Sequence, residues 1–282
     1  MLKRNNFLVI LIVLLAAGIF GILWFYNTYL VPNAEMSSTY MEVYQNLDAS
    51  EIRTINIDTI NNKVKVVATE GEKVKISYYE RIDSANSFVV DNKTVSLKII
   101  ERTETPSNKF ISQTRQIDTI TIYIPQNSVI TVNNKNFDGS MELDGVSLNS
   151  LVVNTITGSI TVKNSMIKVM NLNTNSGDVM VTNTQFDYLG IDEVTGKVTL
   201  NINDSLKRYN LAIKSVNGFL TVNNDKVKVM IDDVETVVNY IDETREETDR
   251  TIRITSLRSN INVTSNEEAL SENENESVQE SD

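Results

Sequence analysis

The sequence predicts an all-β protein whose main domain is a β-solenoid, a chain wound into coils that stack on one another. The first observation is a ladder of glycines: Gly139, Gly158, Gly177 and Gly196 are each 19 residues apart, and Gly218 follows after 22. The second is the sequence around them, which reads FDGSMEL, ITGSITV, NSGDVMV, VTGKVTL and VNGFLTV. A fixed period with short alternating strands is typical of solenoids, so coils of ~19–22 residues are expected to stack into a shared core.

Apolar residues recur at fixed distances from each glycine, and we expect them to form columns in that core. The columns two and four positions after the glycine are Met141, Ile160, Val179, Val198, Leu220 and Leu143, Val162, Val181, Leu200, Val222. Those twelve and fourteen positions after it are Leu151, Met170, Leu189, Leu211 and Val153, Leu172, Ile191, Ile213. The column two positions before it is Phe137, Ile156, Asn175, Val194 and Val216. Coils stacked at ~4.8 Å would turn these columns into one core.

The corners of the coils have their own residues. The five glycines are interpreted as structural turns, where the backbone needs freedom to bend. Asn164, Asn183 and Asn224 stand six positions after their glycines and mark a second corner. Asparagine suits such turns, and stacked asparagines there are expected to hydrogen-bond along the solenoid axis.

The array extends in both directions. Alternation predicts three strands between Ile52 and Glu80 and two more at 95–100 and 118–124, with a loop at 101–116. In the first of these coils Asn61-Asn62 replaces the Thr-Gly of the repeat. After the array, a strand at 227–231 and an irregular coil at 234–240 are expected. Ser259 then takes the glycine position of a last coil that caps the stack.

The N-terminus predicts a membrane anchor. Residues 7–26 contain twenty uncharged positions, enough for a helix to span the ~30 Å hydrocarbon core of a bilayer. Lys3 and Arg4 precede the span and no Lys or Arg follows until Arg53, so residues 1–6 are expected in the cytoplasm and the rest outside the cell membrane. A cleaved signal peptide is the alternative, although the apolar run is long for one. Residues 27–50 are interpreted as a stalk, 51–264 as the solenoid ectodomain, and 265–282 as a disordered acidic tail.

Composition excludes several kinds of site. The chain has no cysteine and no histidine, which excludes disulfides, thiolate nucleophiles, Ser-His-Asp triads and the usual zinc sites. The net charge is −11, and the tail contributes seven acidic groups and no basic one. An acidic chain without a basic stripe does not suit nucleic acid.

No constellation in the array suggests chemistry. Its carboxylates do not share a column, as a polysaccharide-cleaving site or a calcium array would require. We therefore expect no catalytic, cofactor-binding or metal-binding residues. Instead, the strand after each glycine should present an outward row that could bind glycan, peptide or protein. This candidate binding face comprises Ser159, Thr161, Asp178, Met180, Lys197, Thr199, Phe219 and Thr221. A merely solvated solenoid face is the alternative.

Three features together resemble a known family: IRTINIDTINNKVKVV at the front, the IYIP element at 122–125, and the iterated x-S/T/N-G-x-[IV]-x-[VL] unit. The sequence resembles the putative-adhesin, β-strand-repeat family of bacterial envelope proteins of unknown function, which includes LiaG-type membrane-anchored members. The likeness covers roughly Ile52 to Val263. The resemblance implies an extracytoplasmic β-solenoid and no catalytic motif.

The sequence thus predicts a non-enzymatic, membrane-anchored module that contacts cell-wall glycan, a surface ligand or a membrane protein. Two alternatives stay open. One is an envelope-stress sensor or regulator that acts through a membrane partner, because the predicted cytoplasmic segment is too short to signal alone. The other is a polysaccharide-active β-helix enzyme.

Overall fold

The structure is a computed structural model that describes residues 18–22, 24, 40–81, 86–100, 118–126, 128–215, 218–223, 225–226, 237–238 and 249–265. Of the predicted membrane span, residues 18–22 and 24 are helical and the others lie outside the described residues. In the described parts of the chain, no helix has the length and apolar character needed to cross a membrane. The expected loop at 101–116, the strand at 227–231, Val216, Asn224 and the tail beyond Ser265 also lie outside the described residues.

The described residues form nineteen strands, in agreement with the all-β prediction. In chain order the strands are β1 Tyr40–Asp48, β2 Thr54–Thr59, β3 Lys63–Thr69, β4 Lys73–Arg81, β5 Ser87–Asp91, β6 Thr94–Lys98, β7 Thr119–Pro125, β8 Thr131–Asn136, β9 Met141–Asp144, β10 Ser147–Thr157, β11 Ile160–Lys163, β12 Met166–Ser176, β13 Val179–Thr182, β14 Tyr188–Ile202, β15 Asn210–Ser215, β16 Leu220–Val222, β17 Asp225–Lys226, β18 Val237–Val238 and β19 Thr251–Ser265. Short 3₁₀ turns occupy Ala49–Glu51 and Leu206–Arg208.

Each coil supplies one strand to each of two parallel sheets. The strand before the glycine position joins sheet I and the strand after it joins sheet II, while β14 and β19 run through both. In spatial order the coils are first β6–β7, second β2–β3, third β8–β9, fourth β10–β11, fifth β12–β13, sixth β14, seventh β19 and eighth β15–β16.

The coils do not stack in chain order, and this corrects the expectation for Ser259. Strand β19 lies between β14 and the β15–β16 coil, so Ser259 pairs with Gly196 inside the stack and does not cap it. The N-terminal end has the same arrangement, since the β2–β3 coil lies between the β6–β7 and β8–β9 coils. Of the described coils, the first and last along the chain are therefore internal, with a parallel partner on each side.

The apolar columns after each glycine are buried as expected, apart from Leu211, which is half-buried. From Met141 and Leu143 to Leu220 and Val222, the columns at two and four positions are at most 5% exposed. The prediction for the column two positions before the glycine is wrong: Phe137 is 53% exposed, and Ile156 and Val194 are each 39% exposed. Side chains three positions before and two positions after the glycine both point inward. These two positions are five residues apart, whereas side chains on the same face of a regular strand are an even number of residues apart. The inward–outward alternation therefore shifts by one residue at the bend.

The bend at each glycine is crowded by the neighbouring coil. A Cβ on Gly158 would overlap the carbonyl oxygen of Gly139, and one on Gly218 would overlap that of Ser259. Close approach between coils, more than an unusual backbone angle, therefore accounts for glycine at this position.

A buried polar column lies just inside this bend, three positions before each glycine. Thr155 Oγ1 donates a hydrogen bond to the Gly139 carbonyl (3.3 Å), and Thr174 Oγ1 donates one to the Gly158 carbonyl (3.4 Å). In the sixth coil the column is occupied by Glu193, which is 4% exposed. The two threonines connect successive coils where the apolar columns are interrupted.

The second corner forms the asparagine ladder that the repeat predicts. Asn164 and Asn183 both have φ of 49°, in the left-handed region that asparagine tolerates. The side-chain amide of Asn183 donates to Asn164 Oδ1 (2.8 Å), and that of Asn164 donates to Asp144 Oδ1 (2.9 Å). The ladder therefore runs along the solenoid axis.

Antiparallel strands cover the described edges of both sheets. Part of the predicted stalk is one of them: β1 pairs along its whole length with β4, which pairs in turn with β7 at the end of sheet II. The β5 strand, which the sequence analysis did not identify, covers sheet I beside β6. At the other end β18 pairs with β15 and β17 with β16. Covered edges prevent the open-ended strand pairing that leads to aggregation.

An ion cluster holds the inserted β19 strand at its start. Arg250 Nη1 lies 2.9 Å from Asp204 Oδ2, and Arg208 Nη1 lies 3.2 Å from Asp204 Oδ1. The Arg250 guanidinium also lies over the ring of Tyr209, 5.7 Å from its centroid. Asp204 and Arg208 belong to the connection between β14 and β15, and Arg250 directly precedes β19. The cluster therefore links the start of β19 to the connection between its two neighbouring coils.

Candidate binding face

The sequence-predicted binding residues lie on the outer surface of sheet II, called here the sheet II face. Their strands alternate between buried apolar residues and these outward positions, as in Ile160, Thr161 and Val162. The parallel register aligns Thr161 with Met180 and Met180 with Thr199. Two residues before each of these outward positions, on the same side of the sheet, lie four more predicted residues. All four are exposed: Ser159, Asp178, Lys197 and Phe219.

The structure does not bring all eight predicted residues together. Those of the fourth, fifth and sixth coils are contiguous, but β19 places Asn260 and Asn262 between them and the eighth-coil residues Phe219 and Thr221. The sequence-based face therefore omitted two amide side chains in its middle. Their position depends on the insertion of β19, for which the repeat period gives no signal.

One predicted pair has a structural role. Asp178 Oδ1 accepts a hydrogen bond from the backbone N–H of Lys197 (3.0 Å), so its carboxylate links two neighbouring coils. Phe219, by contrast, is 72% exposed and is the most prominent apolar side chain at this end of the face.

The sheet II face also includes three tyrosines that the sequence analysis missed. Tyr44 on β1, Tyr79 on β4 and Tyr123 on β7 point outward near one another, and Tyr44 is 65% exposed. A hydrogen bond with the Glu42 carboxylate raises the pKa of the Tyr44 phenol, which therefore remains protonated at neutral pH. Tyr123 lies between the apolar residues Ile122 and Ile124, so strand alternation predicts that the Tyr123 side chain points outward. For Tyr44 no such signal exists without knowledge that β1 joins the sheet.

Lysines surround the tyrosines. Lys73 and Lys75 stand on β4, with Lys75 opposite Tyr123, and Lys63 and Lys65 stand on β3. Lys63 Nζ lies 2.9 Å from Glu142 Oε2, and this contact lowers the pKa of Glu142. The pair is partly exposed and so contributes little to stability. The face combines cationic, aromatic, hydroxyl and amide groups, which are the groups that contact a polar polymer.

The described residues include no group of three or more acidic side chains placed to hold a metal ion. The acidic residues near the face include Glu42, bonded to Tyr44, Glu142, paired with Lys63, and Asp178, bonded to a backbone amide. The chemistry that this geometry supports is hydrogen bonding, ring stacking and charge attraction.

Comparison with known proteins gives a family and two structural neighbours. The family model described as Toastrack DUF4097 matches residues 52–279. A putative cell adhesion protein from Clostridium sporogenes has 14% identity and a TM-score of 0.43, with 80% of this chain and 100% of that chain covered. A putative adhesin from Bacteroides fragilis has 12% identity and a TM-score of 0.41, with 80% and 95% covered. No curated protein matches the chain.

Proposed function

This chain belongs to the Toastrack DUF4097 family, and from that premise we propose that it is an adhesin-type binding protein of the cell envelope. In this proposal residues 7–26 anchor it in the membrane, the solenoid stands outside the cell, and the sheet II face binds a linear anionic polysaccharide without chemically altering it. The observation that carries the proposal is the continuous outward surface that runs from the tyrosine–lysine end to the Ser, Thr and Asn rows.

The repeat of the solenoid suits a polymer. Parallel strands present equivalent side chains once per coil, at a spacing of ~4.8 Å, so a linear ligand lying along the axis meets the same kind of group repeatedly. One such row contains Thr161, Met180, Thr199, Asn262 and Thr221, so hydroxyl and amide groups occupy every position except that of Met180. Each contact is weak, but many contacts along one polymer add up.

The tyrosine–lysine end supplies the anchoring contacts. Tyrosine rings offer apolar surface with a polar tip, which matches a sugar ring with its apolar face and hydroxyl edge. Lys65 and Lys75 supply cationic groups at this end, where the Glu42 carboxylate is bonded to Tyr44. Binding should therefore weaken as salt rises, because exposed charges are screened within about 10 Å at 0.1 M ionic strength.

The test is titration of the full chain in detergent with purified anionic cell-wall polysaccharide. Tyr44→Ala with Tyr123→Ala should weaken binding at least about tenfold, the effect of ~1.4 kcal/mol. Tyr188→Ala, a tyrosine on the outer side of sheet I, is the matched control and should leave binding unchanged. Equal binding by both variants, or no binding by the native chain, contradicts the proposal. A stoichiometric membrane protein crosslinked to a chain that binds no glycan would instead favour the regulatory alternative.

A further inference from the structure

A stripe of exposed side chains runs along the bend between the sheets, on the third to seventh coils. It consists of the residues two positions before the glycine position, which the repeat pattern predicts in the core. This corner stripe comprises Phe137, Ile156, Asn175, Val194 and Leu257. Four of its five members are apolar and 39–53% exposed, so it forms a continuous apolar surface rather than scattered residues.

We propose that the corner stripe is the contact between two antiparallel copies of this protein. A two-fold axis through the fifth coil, perpendicular to the solenoid axis, relates the fourth coil to the sixth and the third to the seventh. Ile156 then faces Val194 of the second copy, Phe137 faces Leu257, and Asn175 faces itself. The one polar member of the stripe thus meets its own amide, which can both donate and accept.

A polar column beside the stripe matches in the same arrangement. It lies four positions before the glycine position and borders the same groove on the outer side of sheet I. Asp58 in the second coil faces Lys214 in the eighth, and Asn154 in the fourth faces Asp192 in the sixth. Opposite charges and hydrogen-bonding groups therefore meet twice, once at each symmetric position, as an isologous interface requires.

A parallel pair does not match. A two-fold axis along the stripe itself makes each stripe residue meet its own copy, but it brings the polar column opposite the glycine corner, where Asp58 and Lys214 gain no charged partner. A two-fold axis between the two columns places the polar column of one copy against the corner stripe of the other at the same coil. Lys135 would then lie against Phe137 and Asp192 against Val194, so charged groups would lose water without gaining partners. The sequence pattern thus favours the antiparallel pair over the parallel one.

The contact is small, so we expect pairing to be weak and to require many copies held close together on a surface. Five to seven coils at ~4.8 Å give a strip about 20–30 Å long. At about three residues, or ~10 Å, in width it covers roughly 200–300 Å², well short of the ~800 Å² per partner of a stable interface. Many copies on a surface would raise the effective concentration. Because the copies are antiparallel, their N-terminal ends point in opposite directions. If residues 7–26 are the anchor, as the proposed function requires, the pair bridges two membranes and is homophilic.

The absence of native cysteine makes disulfide crosslinking a direct test. Asn175→Cys lies on the two-fold axis and should form a disulfide-linked dimer under mild oxidation of the concentrated full chain. Lys135→Cys alone should not, because its two copies lie about 19 Å apart, four coil spacings, and a disulfide needs Cα atoms within about 7 Å. Mixed Lys135→Cys and Thr255→Cys chains should crosslink to each other.

Each crosslinking outcome decides the proposal. Dimers of Asn175→Cys and of the mixed pair, without self-dimers of Lys135→Cys, support it. Self-dimers of Lys135→Cys, or dimers of Asn175→Cys without the mixed crosslink, indicate a parallel pair and overturn it, and no crosslink at Asn175→Cys overturns pairing altogether. Adding Ile156→Glu should reduce the Asn175→Cys dimer at least about fivefold, whereas Val169→Glu, exposed on sheet I away from the stripe, should not.

Bridging has its own readout. Full chain reconstituted in phosphatidylethanolamine–phosphatidylglycerol vesicles should cluster them, and Ile156→Glu should abolish clustering while Tyr44→Ala with Tyr123→Ala leaves it intact. Crosslinking without clustering would contradict the bridge between membranes. Loss of polysaccharide binding in the tyrosine variant with clustering retained separates this inference from the binding role of the sheet II face.

Discussion

Ser259 lies directly beside Gly196 in a parallel register, although the Gly218 coil separates them in the chain. On the side of Ser259 away from Gly196, its carbonyl oxygen lies so close to Gly218 that a Cβ there would overlap it. The last described strand, β19, therefore lies between two coils that precede it in the chain, β14 and β15–β16. This relationship makes the C-terminal part of the solenoid dependent on a segment that a simple stack would place at its edge.

Removal of β19 should affect more than one coil. A chain truncated after Arg250 leaves β14 and the β15–β16 coil without their common parallel partner, so we expect amides of β15 to lose hydrogen-exchange protection. Truncation after Ser265 retains β19 and serves as the control, with native protection. Native protection of β15 in the shorter chain would show that the coils stack in chain order.

Asn134 is expected to limit stability. It is 2% exposed in an apolar column between Ile57 and Val153, and its amide has no hydrogen-bond partner among the described residues. A buried polar group without a partner costs about 1–3 kcal/mol. Asn134→Leu should raise the free energy of unfolding by about that amount in urea denaturation, since it replaces the amide with an apolar group of similar shape. The reverse change, Val153→Asn, should lower it, and a loss of stability in Asn134→Leu would count against this account.

Glu193 should make stability depend on pH. Burial raises its pKa above the ordinary 4.5, the Ser259 hydroxyl offsets part of that shift, and Asp178 adds to it. The folded chain therefore binds this proton more tightly than the unfolded chain. Between 4.5 and the raised folded pKa, stability should fall as pH rises, and above the folded pKa this contribution should be constant.

Glu193→Gln tests this assignment by urea denaturation across pH. The neutral amide can donate to the Gly177 carbonyl, as Thr174 donates to that of Gly158, so the variant should be more stable than the native chain at pH 8 and should lose the Glu193 component of the slope. Glu142→Gln is the control of opposite sign, because a lowered pKa contributes stability that is lost as pH falls. An unchanged slope in Glu193→Gln would refute a raised pKa at this position.

The crowded bend gives a fourth prediction. Gly158→Ala should destabilise the chain by about 1–3 kcal/mol, the cost of forcing atoms into a packed site, because its Cβ would overlap the Gly139 carbonyl of the neighbouring coil. Gly71→Ala is the matched control, since the nearest atom to its Cβ would be 3.8 Å away. Thermal unfolding should separate the two variants, and equal melting temperatures would show that close approach between coils does not require glycine.

The sequence predicts what is local to a coil and misses what depends on distant pairing. The columns after each glycine follow from alternation within one strand, and the asparagine corner follows from the tolerance of Asn164 and Asn183 for left-handed backbone. The column of Phe137 was misassigned because the alternation changes phase at the bend. The positions of β1 and β19 depend on which sheet edges they pair with, and a period of 19 residues contains no information about that choice.

The candidate site divides in the same way. Thr161, Met180 and Thr199 are aligned by the repeat itself, so the sequence predicts their common face. Tyr44 and Asn262 reach that face only through long-range pairing of β1 and β19, so no local pattern reveals them.

Hydroxyl-radical footprinting with and without anionic polysaccharide tests the binding role of the sheet II face most directly. Tyrosine, methionine and phenylalanine side chains report contact, and this chain has them on both sides of the solenoid. Bound polysaccharide should reduce oxidation of Tyr44, Tyr123 and Met180 on the sheet II face and leave Tyr188 on sheet I and Met166, which is 56% exposed, unchanged. Protection of Tyr188 or Met166 with no change at Tyr44 and Tyr123 would contradict it.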